Sequence, residues 1–254
     1  MEALDAFTAF LAAGVGGPRD WSGAMQLLQR RKMEPHVARQ MRVLDSMSLD
    51  AAGDPVQAYS PELLSGSPDV RLFRAFLTEA ECNYLIEVAE PHLTASMVID
   101  PGTGAFIRHP VRRSDAMAFP LMSENPVIHA INRRIALASN TSPQQGEPLQ
   151  ILRYQPGDEY RPHLDALPGE ANQRILTFLI YLNDDYGGGA TSFPQLEIDV
   201  RGRMGDALLF RNADANGVPD VRTRHAGCPV TSGVKKIASR WIRVTPLDLT
   251  GKVR

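Results

Sequence analysis

The hydrophobic positions of the first 50 residues recur at intervals of three or four, a pattern that predicts short amphipathic helices. One helix covers residues 4–11 and ends at the glycines and the proline that follow it. A second covers residues 20–32, and a third covers residues 35–49. Glycine and proline are then frequent in residues 53–68, a composition typical of a linker. Residues 1–60 are therefore predicted to form a helical N-terminal segment.

The middle of the chain combines a strand with two further helices. Residues 70–76 have the composition of a strand, and Thr78 with Glu81 forms a capping-box pattern that begins a helix lasting to about Ala89. Another helix is predicted over residues 126–138, where isoleucine and valine recur at helical spacing. Both helices precede a run of strands and are expected to cover the outer face of one sheet.

After Leu149 the pattern is nearly all strand and turn. The segments QILRY, RILTFLIYLN, ATSFP, DALLF and RWIRVTP are separated by clusters of glycine, proline, asparagine and aspartate. Many short strands at this spacing indicate a β-sandwich or a jelly roll. We therefore predict a mainly β fold with flanking helices, of the α+β class, over residues 69–250, attached to the N-terminal helical segment.

The composition is that of a globular protein, with 43% hydrophobic and 22% charged residues among 254. The net charge of −2 and the absence of a long basic run remove the simplest electrostatic arguments for a nucleic-acid or membrane partner. No apolar stretch approaches the ~18 residues that span a bilayer. Glu2 and Asp5 stand where a signal peptide would be basic, and only two cysteines occur, so a cytoplasmic protein is expected.

The sequence His163-Leu164-Asp165 places an imidazole and a carboxylate two residues apart. On a strand, such residues point to the same face and can reach one metal ion. His225, which lies 60 positions after Asp165 (225 − 165), would complete a set of two histidines and one carboxylate. Non-haem Fe(II) oxygenases use this set and keep positions open for cosubstrate and oxygen. Zinc could use the same three ligands and a water, so the ligand types alone leave the metal open.

Lys235 follows His225 by ten positions (235 − 225), after a glycine. A lysine that points inward near the end of a barrel strand is costly to bury unless it meets an anion. A dicarboxylate cosubstrate would supply that anion at its distal end, while its 1-carboxylate and keto oxygen chelate iron. The alternative is that Lys235 or Lys236 is simply solvated.

Six ordered segments resemble the prolyl 4-hydroxylase family of 2-oxoglutarate dioxygenases. They are RYQPGDEYRPHLD, RILTFLIYLND, GGGATSFP, RMGDALLF, HAGCPV and GVKKIASRWI, and they follow the family's order and spacing over residues 70–246. The resemblance implies a double-stranded β-helix, or jelly-roll, core. It also implies Fe(II), 2-oxoglutarate and O2 as cofactor and cosubstrates, with ascorbate as the reductant that rescues the iron.

Residue roles follow from the resemblance position by position. His163, Asp165 and His225 resemble the family's iron ligands. Lys235 resembles the lysine that binds the distal carboxylate of 2-oxoglutarate, and Tyr154 resembles a tyrosine that also contacts this cosubstrate. These five residues form the predicted metal and cosubstrate site.

Other residues are candidates for the walls of the same site. Thr177 and Tyr181 should share one face of a strand and line the cosubstrate pocket. Arg113, in the segment VRRSDAMAF, resembles a family segment that leads out of a mobile substrate loop, and is a candidate for holding substrate. Tyr160 is a candidate for flanking the substrate channel and Trp241 for walling the metal site, with plain packing as the alternative for both.

The chain departs from the family pattern in two places. The position after Lys235 is often tryptophan in the pattern and is Lys236 here, which strand alternation should point away from the pocket. Residues 1–60 have no counterpart in the minimal pattern. We predict that they serve recognition or assembly, which would allow a homo-oligomer through these helices. Residues 100–104, with two glycines and a proline, suit a lid over the substrate.

The sequence thus predicts an Fe(II)- and 2-oxoglutarate-dependent dioxygenase that hydroxylates a C–H bond and releases succinate and CO2. The expected target is a prolyl residue in a peptide or protein, with a free amino acid or small metabolite as the alternative. From other classes, a non-catalytic metal-binding jelly-roll sensor and a zinc hydrolase remain. Lys235 and Tyr154 favour the dioxygenase over both, because a hydrolase has no use for a dicarboxylate anchor.

Overall fold

The computed structural model describes residues 3–99, 106–108, 111–120, 124–214 and 216–247. The chain forms two compact units. The helical unit comprises Met1–Tyr59, Phe119–Leu149 and Pro246–Arg254. The β unit comprises Ser60–Ala118 and Gln150–Thr245. Among the described residues, no helix is both long enough and apolar enough to cross a membrane.

The α-helices are close to those predicted from the hydrophobic pattern. They are α1 Ala3–Ala13, α2 Trp21–Arg30, α3 Pro35–Ser46, α4 Glu79–Ala89 and α5 Pro126–Ser139. The capping box of α4 forms as predicted, with Thr78 accepting from the Glu81 backbone N–H and the Glu81 side chain accepting from that of Thr78. Asp20 caps the N-terminus of α2 and Asn125 that of α5, and their side chains accept backbone N–H groups of the first turn.

Helix α5 belongs to the helical unit, whereas its sequence was expected to cover a sheet. Arg133 of α5 explains part of this association. Its guanidinium donates to the Gly53 carbonyl at 2.9 Å and to the Ala12 carbonyl at 3.2 Å, and lies 4.7 Å from the ring centroid of Trp21. Gly53 has φ 75°, and a Cβ there would lie 2.3 Å from the Trp21 ring, so only glycine fits beside this contact. The division at 1–60 and 69–250 stays a prediction about domains.

The β unit is built from short strands. They are β1 Glu62–Gly66, β2 Asp69–Phe73, β3 Thr94–Ala95, β4 Met97–Ile99, β5 Phe106–Arg108, β6 Asp115–Ala118, β7 Gln150–Tyr154, β8 Tyr160–His163, β9 Arg174–Tyr181, β10 Gly187–Gly188, β11 Thr191–Phe193, β12 Ile198–Val200, β13 Ala207–Arg211, β14 His225–Gly227, β15 Val230–Ser232 and β16 Lys235–Arg243.

Two antiparallel sheets carry the site. The larger has the order β1-β2-β13-β9-β16-β7-β6-β3, and the smaller has the order β12-β11-β14-β8. Two short pairs, β4 with β5 and β10 with β15, form separate two-stranded sheets. Non-consecutive neighbours throughout both sheets are typical of a jelly roll. The predicted mainly β fold with flanking helices and a jelly-roll core is confirmed.

The core of the β unit lies between these two sheets. The larger sheet contributes Tyr154, Tyr181 and Phe210, and the smaller contributes Phe193 and Val200 to one buried cluster. Alternating side chains on each strand point into this layer, which is why a strand residue and the residue two places on reach the same cavity.

One strand lies where a linker was predicted. Residues 62–66 form β1, which pairs with β2 at the edge of the larger sheet. The segment has only two adjacent leucines between Pro61 and Gly66 and is largely exposed, so no alternation of apolar residues marks it as a strand.

Candidate active site

Three side chains that could hold a metal ion come from the ends of two neighbouring strands. His163 is the last residue of β8, Asp165 lies two positions beyond it, and His225 is the first residue of β14. The two strands are antiparallel, and His163 stands opposite His225 in their register. Strand pairing therefore joins two imidazoles that are 62 positions apart in the chain (225 − 163).

The donor atoms of this group are close enough to share one ion. One ligand atom from each residue lies within 4.8 Å of the other two. The Asp165 carboxylate is 3.3 Å from His163 Nε2 through Oδ1 and 3.7 Å from His225 Nε2 through Oδ2. The side chains of Asp165 and His225 are buried, and that of His163 is 12% exposed. The group therefore faces the interior and is open to solvent along one edge.

Backbone carbonyls orient both imidazoles. His163 Nδ1 donates to the Arg161 carbonyl at 2.8 Å, and His225 Nδ1 donates to the Thr223 carbonyl at 3.0 Å. A carbonyl can only accept, so each ring carries its proton on Nδ1. Nε2 of each ring then points toward the Asp165 carboxylate, which is how histidines that bind metals are commonly held.

The protonation states suit metal binding at neutral pH. Burial raises the pKa of Asp165, but His225, His163 and the Thr177 hydroxyl outweigh burial and hold that pKa below its usual range. Burial lowers the pKa of His225 to about 4, against the opposing effect of the Asp165 carboxylate. An ionised carboxylate and a neutral imidazole are the forms that bind a cation.

A cavity opens beside these three residues. It is lined by Arg112, Leu152, Tyr154, Tyr160, His163, Asp165, Leu179, Thr191, His225, Gly227, Lys235, Ile237, Ser239 and Trp241. Strand β16 contributes every second residue from Lys235 to Trp241, as one face of a strand must. The hydrophobic pattern alone did not single out Leu152, Leu179 or Ile237, because core and cavity positions have the same apolar pattern.

Lys235 is buried in this cavity, as predicted from its position at a strand end. It is 3% exposed, and its Nζ donates to the Gly189 carbonyl at 2.7 Å. The same nitrogen lies 5.6 Å from the ring centroid of Tyr154 and 5.7 Å from that of Tyr181. Burial lowers the pKa of Lys235 to about 8. Among the described residues no carboxylate forms an ion pair with it, so a buried cation is available to an anionic ligand.

Lys236 points to the other side of β16, as the alternation predicts. Its Nζ lies 3.3 Å from Glu90, and its backbone N–H donates to the Asn183 side chain at 2.7 Å. The alternative that Lys235 or Lys236 is simply solvated is therefore wrong for Lys235, which is buried.

Tyr154 lies opposite Lys235 in the pairing of β7 with β16 and lines the cavity. Burial raises the pKa of its hydroxyl above the usual range, which keeps it a neutral donor. A contact with the cosubstrate stays a prediction, and the location of the hydroxyl is compatible with it.

Thr177 and Tyr181 share one face of β9 as predicted, but from this strand it is Leu179, between them, that lines the cavity. The Thr177 hydroxyl donates to Asp165 Oδ2 at 2.6 Å. The Tyr181 hydroxyl donates to the Thr191 hydroxyl at 3.0 Å, deep in the core. Their contact with the cosubstrate stays a prediction. In the structure, Thr177 contacts Asp165, one of the candidate metal ligands.

Tyr160 and Trp241 both line the cavity. The Tyr160 ring stacks on the His163 imidazole, with ring centroids 3.4 Å apart and planes 14° from parallel. The Arg174 guanidinium lies 3.8 Å from the centroid of the Trp241 ring and holds that ring in place. Both residues are located where they could contact a substrate, and that role stays a prediction.

Arg113 lies outside the cavity lining, whereas its neighbour Arg112 is part of it. The Arg113 guanidinium donates to the Gly157 carbonyl at 2.6 Å, while that of Arg112 lies 5.6 Å from the Tyr160 ring centroid. Adjacent residues in an extended segment point to opposite sides, and the sequence did not distinguish the two. The predicted lid at residues 100–104 lies outside the described residues.

The residues present fit an Fe(II) ion and a dicarboxylate. Two free Nε2 lone pairs and one ionised carboxylate match the facial set of non-haem iron sites. Lys235, buried in the same cavity without a carboxylate partner among the described residues, matches the distal charge of 2-oxoglutarate.

Comparison with known proteins decides the family. A sequence model of the 2OG-Fe(II) oxygenase superfamily matches residues 149–243. Prolyl 4-hydroxylase 1 of Arabidopsis thaliana is 38% identical over 202 residues, which cover 72% of this chain and 71% of that protein. The chain belongs to the prolyl 4-hydroxylase family of dioxygenases.

Further relatives agree with this membership. Probable prolyl 4-hydroxylase 10 of Arabidopsis thaliana is 35% identical over 207 residues, 72% of this chain and 71% of that protein. A solved structure of the viral collagen prolyl hydroxylase of Paramecium Bursaria Chlorella virus-1, in a 2OG complex, has a TM-score of 0.57 and 30% identity. The match covers 69% of this chain and 96% of that chain.

As a member of the prolyl 4-hydroxylase family, the chain is an Fe(II)- and 2-oxoglutarate-dependent dioxygenase that uses O2. The predicted family, reaction class and cofactors are confirmed, and the alternatives of a zinc hydrolase and a non-catalytic sensor are excluded. The use of ascorbate stays a prediction.

Proposed function

We propose that this protein hydroxylates a prolyl residue in a peptide or protein, with His163, Asp165 and His225 binding Fe(II). The observation that carries the proposal is that these three candidate ligands and the buried Lys235 line the same cavity. The names of the relatives, prolyl 4-hydroxylases and a viral collagen prolyl hydroxylase, support the prolyl substrate.

When bound, iron and 2-oxoglutarate supply the oxidising chemistry: O2 and 2-oxoglutarate are consumed, one oxygen atom enters the substrate C–H bond, and succinate and CO2 leave. The protein needs no acid–base pair for this reaction, and the histidines and the aspartate in the cavity are proposed as metal ligands. Its residues bind, orient and shield the reactants. The carbonyls that accept from the two Nδ1 atoms fix the orientation of both imidazoles.

The cosubstrate is proposed to lie between the metal ligands and Lys235. The ammonium group would exchange its present acceptor, the Gly189 carbonyl, for the distal carboxylate, a stronger charge-assisted bond. Tyr154 would donate its neutral hydroxyl from the neighbouring strand. The apolar side chains of Leu152, Leu179 and Ile237 form the rest of the wall and exclude water.

The substrate is proposed to approach from the side where His163 is partly exposed. Tyr160 covers one face of that imidazole, and Trp241 is held by Arg174 in the cavity wall. Two rigid aromatic rings offer flat apolar contacts for a pyrrolidine ring, at low entropic cost. Ascorbate is proposed as the reductant that restores Fe(II).

The test is turnover of proline-rich peptides by the purified protein with Fe(II), 2-oxoglutarate and air. We expect succinate formation together with a mass gain of one oxygen atom on a peptide proline, and neither from the His163→Ala variant. Succinate formed only with free amino acids or small metabolites would select the alternative substrate class. Full turnover by His163→Ala would overturn the metal assignment.

A further inference from the structure

The second oxygen of the Asp165 carboxylate has a dedicated partner. The Thr177 hydroxyl donates to Asp165 Oδ2 at 2.6 Å, and the Asn212 side-chain N–H donates to the Thr177 oxygen at 2.8 Å. The Thr177 hydroxyl has one proton to donate. Because the Asn212 amide donates to the hydroxyl oxygen, the hydroxyl proton is directed to the Asp165 carboxylate. The three side chains form a one-way chain from an amide through a hydroxyl to an ionised carboxylate, and all three are buried.

Asn212 is a costly residue for this position. It is 1% exposed, and its Oδ1 is buried without a hydrogen-bond partner among the residues that the structure describes. An unsatisfied buried acceptor costs on the order of 1–3 kcal/mol, which an apolar side chain would avoid. Its backbone is fixed on both sides, through its N–H to the Ile175 carbonyl at 2.8 Å and its carbonyl to the Asp220 N–H at 2.9 Å. The contribution of the amide is therefore its bond to Thr177.

We propose that Thr177 and Asn212 are positioning residues that make Asp165 a ligand through one oxygen only. This inference rests on the proposed function, in which Asp165 binds Fe(II). Oδ2 also lies 3.7 Å from His225 Nε2, but its hydrogen bond from Thr177 engages it, so Oδ1, the oxygen 3.3 Å from His163 Nε2, would be the one that binds the ion.

The consequence concerns the number of open coordination positions. An ion bound through three protein ligand atoms would keep open positions for 2-oxoglutarate and O2. A carboxylate that turned to bind through both oxygens would occupy one of them. Thr177 and Asn212 oppose that rotation, because it would break the bond at Oδ2.

Co(II) binding in the absence of 2-oxoglutarate tests the proposal without turnover. Thr177→Val keeps the shape of the side chain and removes the hydroxyl, while Thr177→Ser keeps the hydroxyl. Loss of a partner that orients a metal ligand typically weakens metal binding by about 10–100-fold. We expect that loss for Thr177→Val, together with a changed Co(II) absorption spectrum and a raised apparent 2-oxoglutarate constant. Thr177→Ser should restore affinity and spectrum.

Asn212→Leu provides a second arm that does not depend on Thr177→Val being folded. Leucine removes the unsatisfied Oδ1, so the apoprotein should melt at the same or a higher temperature while Co(II) affinity falls. Wild-type Co(II) affinity and spectrum in a folded Thr177→Val variant, or in Asn212→Leu, would overturn the inference. His163→Ala is the control for the proposed function: if it binds Co(II) like the wild type, the metal site itself is wrong, whatever Thr177 does.

Discussion

Arg133 in the helical unit and Lys235 in the β unit are both buried cations, and the two have opposite surroundings. Arg133 in the helical unit donates to two backbone carbonyls, lies 3.2 Å from an Asp54 carboxylate oxygen and covers the Trp21 ring. Lys235 in the β unit has one carbonyl partner and no carboxylate among the described residues. Burial lowers the pKa of both, to about 10 for Arg133 and about 8 for Lys235. Burial of a cation therefore does not by itself indicate a binding site. A buried cation such as Lys235, which has no carboxylate beside it among the described residues, does.

The strongest test of this difference is Lys235→Met. Removing one partner of a buried charge pair costs about 2–5 kcal/mol, and each 1.4 kcal/mol is about tenfold. The apparent 2-oxoglutarate constant should therefore rise more than about tenfold, measured by succinate formation. The apoprotein should lose little stability, because no carboxylate among the described residues loses its partner, and the cost of leaving the Gly189 carbonyl without this donor is offset by no longer burying a cation. A large loss of apoprotein stability would give Lys235 the structural role assigned to Arg133.

Arg133→Met should have the reverse profile. Two buried carbonyls would lose their donor, at about 1–3 kcal/mol each, partly offset because a cation is no longer buried. We expect the free energy of unfolding to fall by at least about 2 kcal/mol in denaturant titrations, with the 2-oxoglutarate constant of the folded enzyme unchanged. An altered constant without a loss of stability would contradict the comparison.

The pH dependence of 2-oxoglutarate binding sharpens the comparison further. The protonated amine of Lys235 binds the dicarboxylate, and burial lowers the pKa of that amine to about 8 in the free protein. Affinity should be level below pH 8 and fall by up to about tenfold per pH unit above it. Because the pKa is lower in the folded than in the unfolded chain, this group's contribution to stability rises with pH above 8. Calorimetric binding across pH 7–9.5 measures the first effect, and Lys235→Met should abolish it.

Lys236→Met is the matched control and should have the smallest effect. Its ion pair with Glu90 is partly exposed, and such pairs contribute about 0–1 kcal/mol. The 2-oxoglutarate constant should not change, and the melting temperature should change little. If Lys236→Met weakened cosubstrate binding more than Lys235→Met, the assigned side of β16 would be the wrong one.

The parts of the site that could be predicted from sequence are those fixed by strand geometry. His163 and Asp165 are two positions apart at a strand end, and Lys235 alternates with Lys236 along β16, so local spacing determines which side each one faces. His225 could be added because two histidines and one carboxylate form a known ligand set. The distances between the three could not be predicted, since they depend on the register of β8 with β14.

Other features depend on contacts that no local pattern encodes. The spacing in α5 predicts an apolar face but not whether a sheet or other helices cover it, and the structure joins it to α1 and α3. Asn212 forms its hydrogen bond across two neighbouring strands, and an asparagine just after a strand looks like an ordinary turn residue. Arg112 and Arg113 are adjacent and of the same type, and they differ in the side of the segment that each one faces. The segment pairs through an isolated bridge between Arg112 and Tyr160, so no strand pattern in the sequence shows which arginine faces the cavity.

The pairing of His163 with His225 couples the ion to the fold. The two imidazoles face each other only after β8 and β14 have paired, so the unfolded chain offers no such site. An ion bound as proposed would stabilise the paired sheet by mass action, by about 2.7 kcal/mol at a free concentration 100 times the dissociation constant. The melting temperature of the β unit would then report the supply of iron, and removal of iron by a chelator would weaken the enzyme's architecture along with its activity.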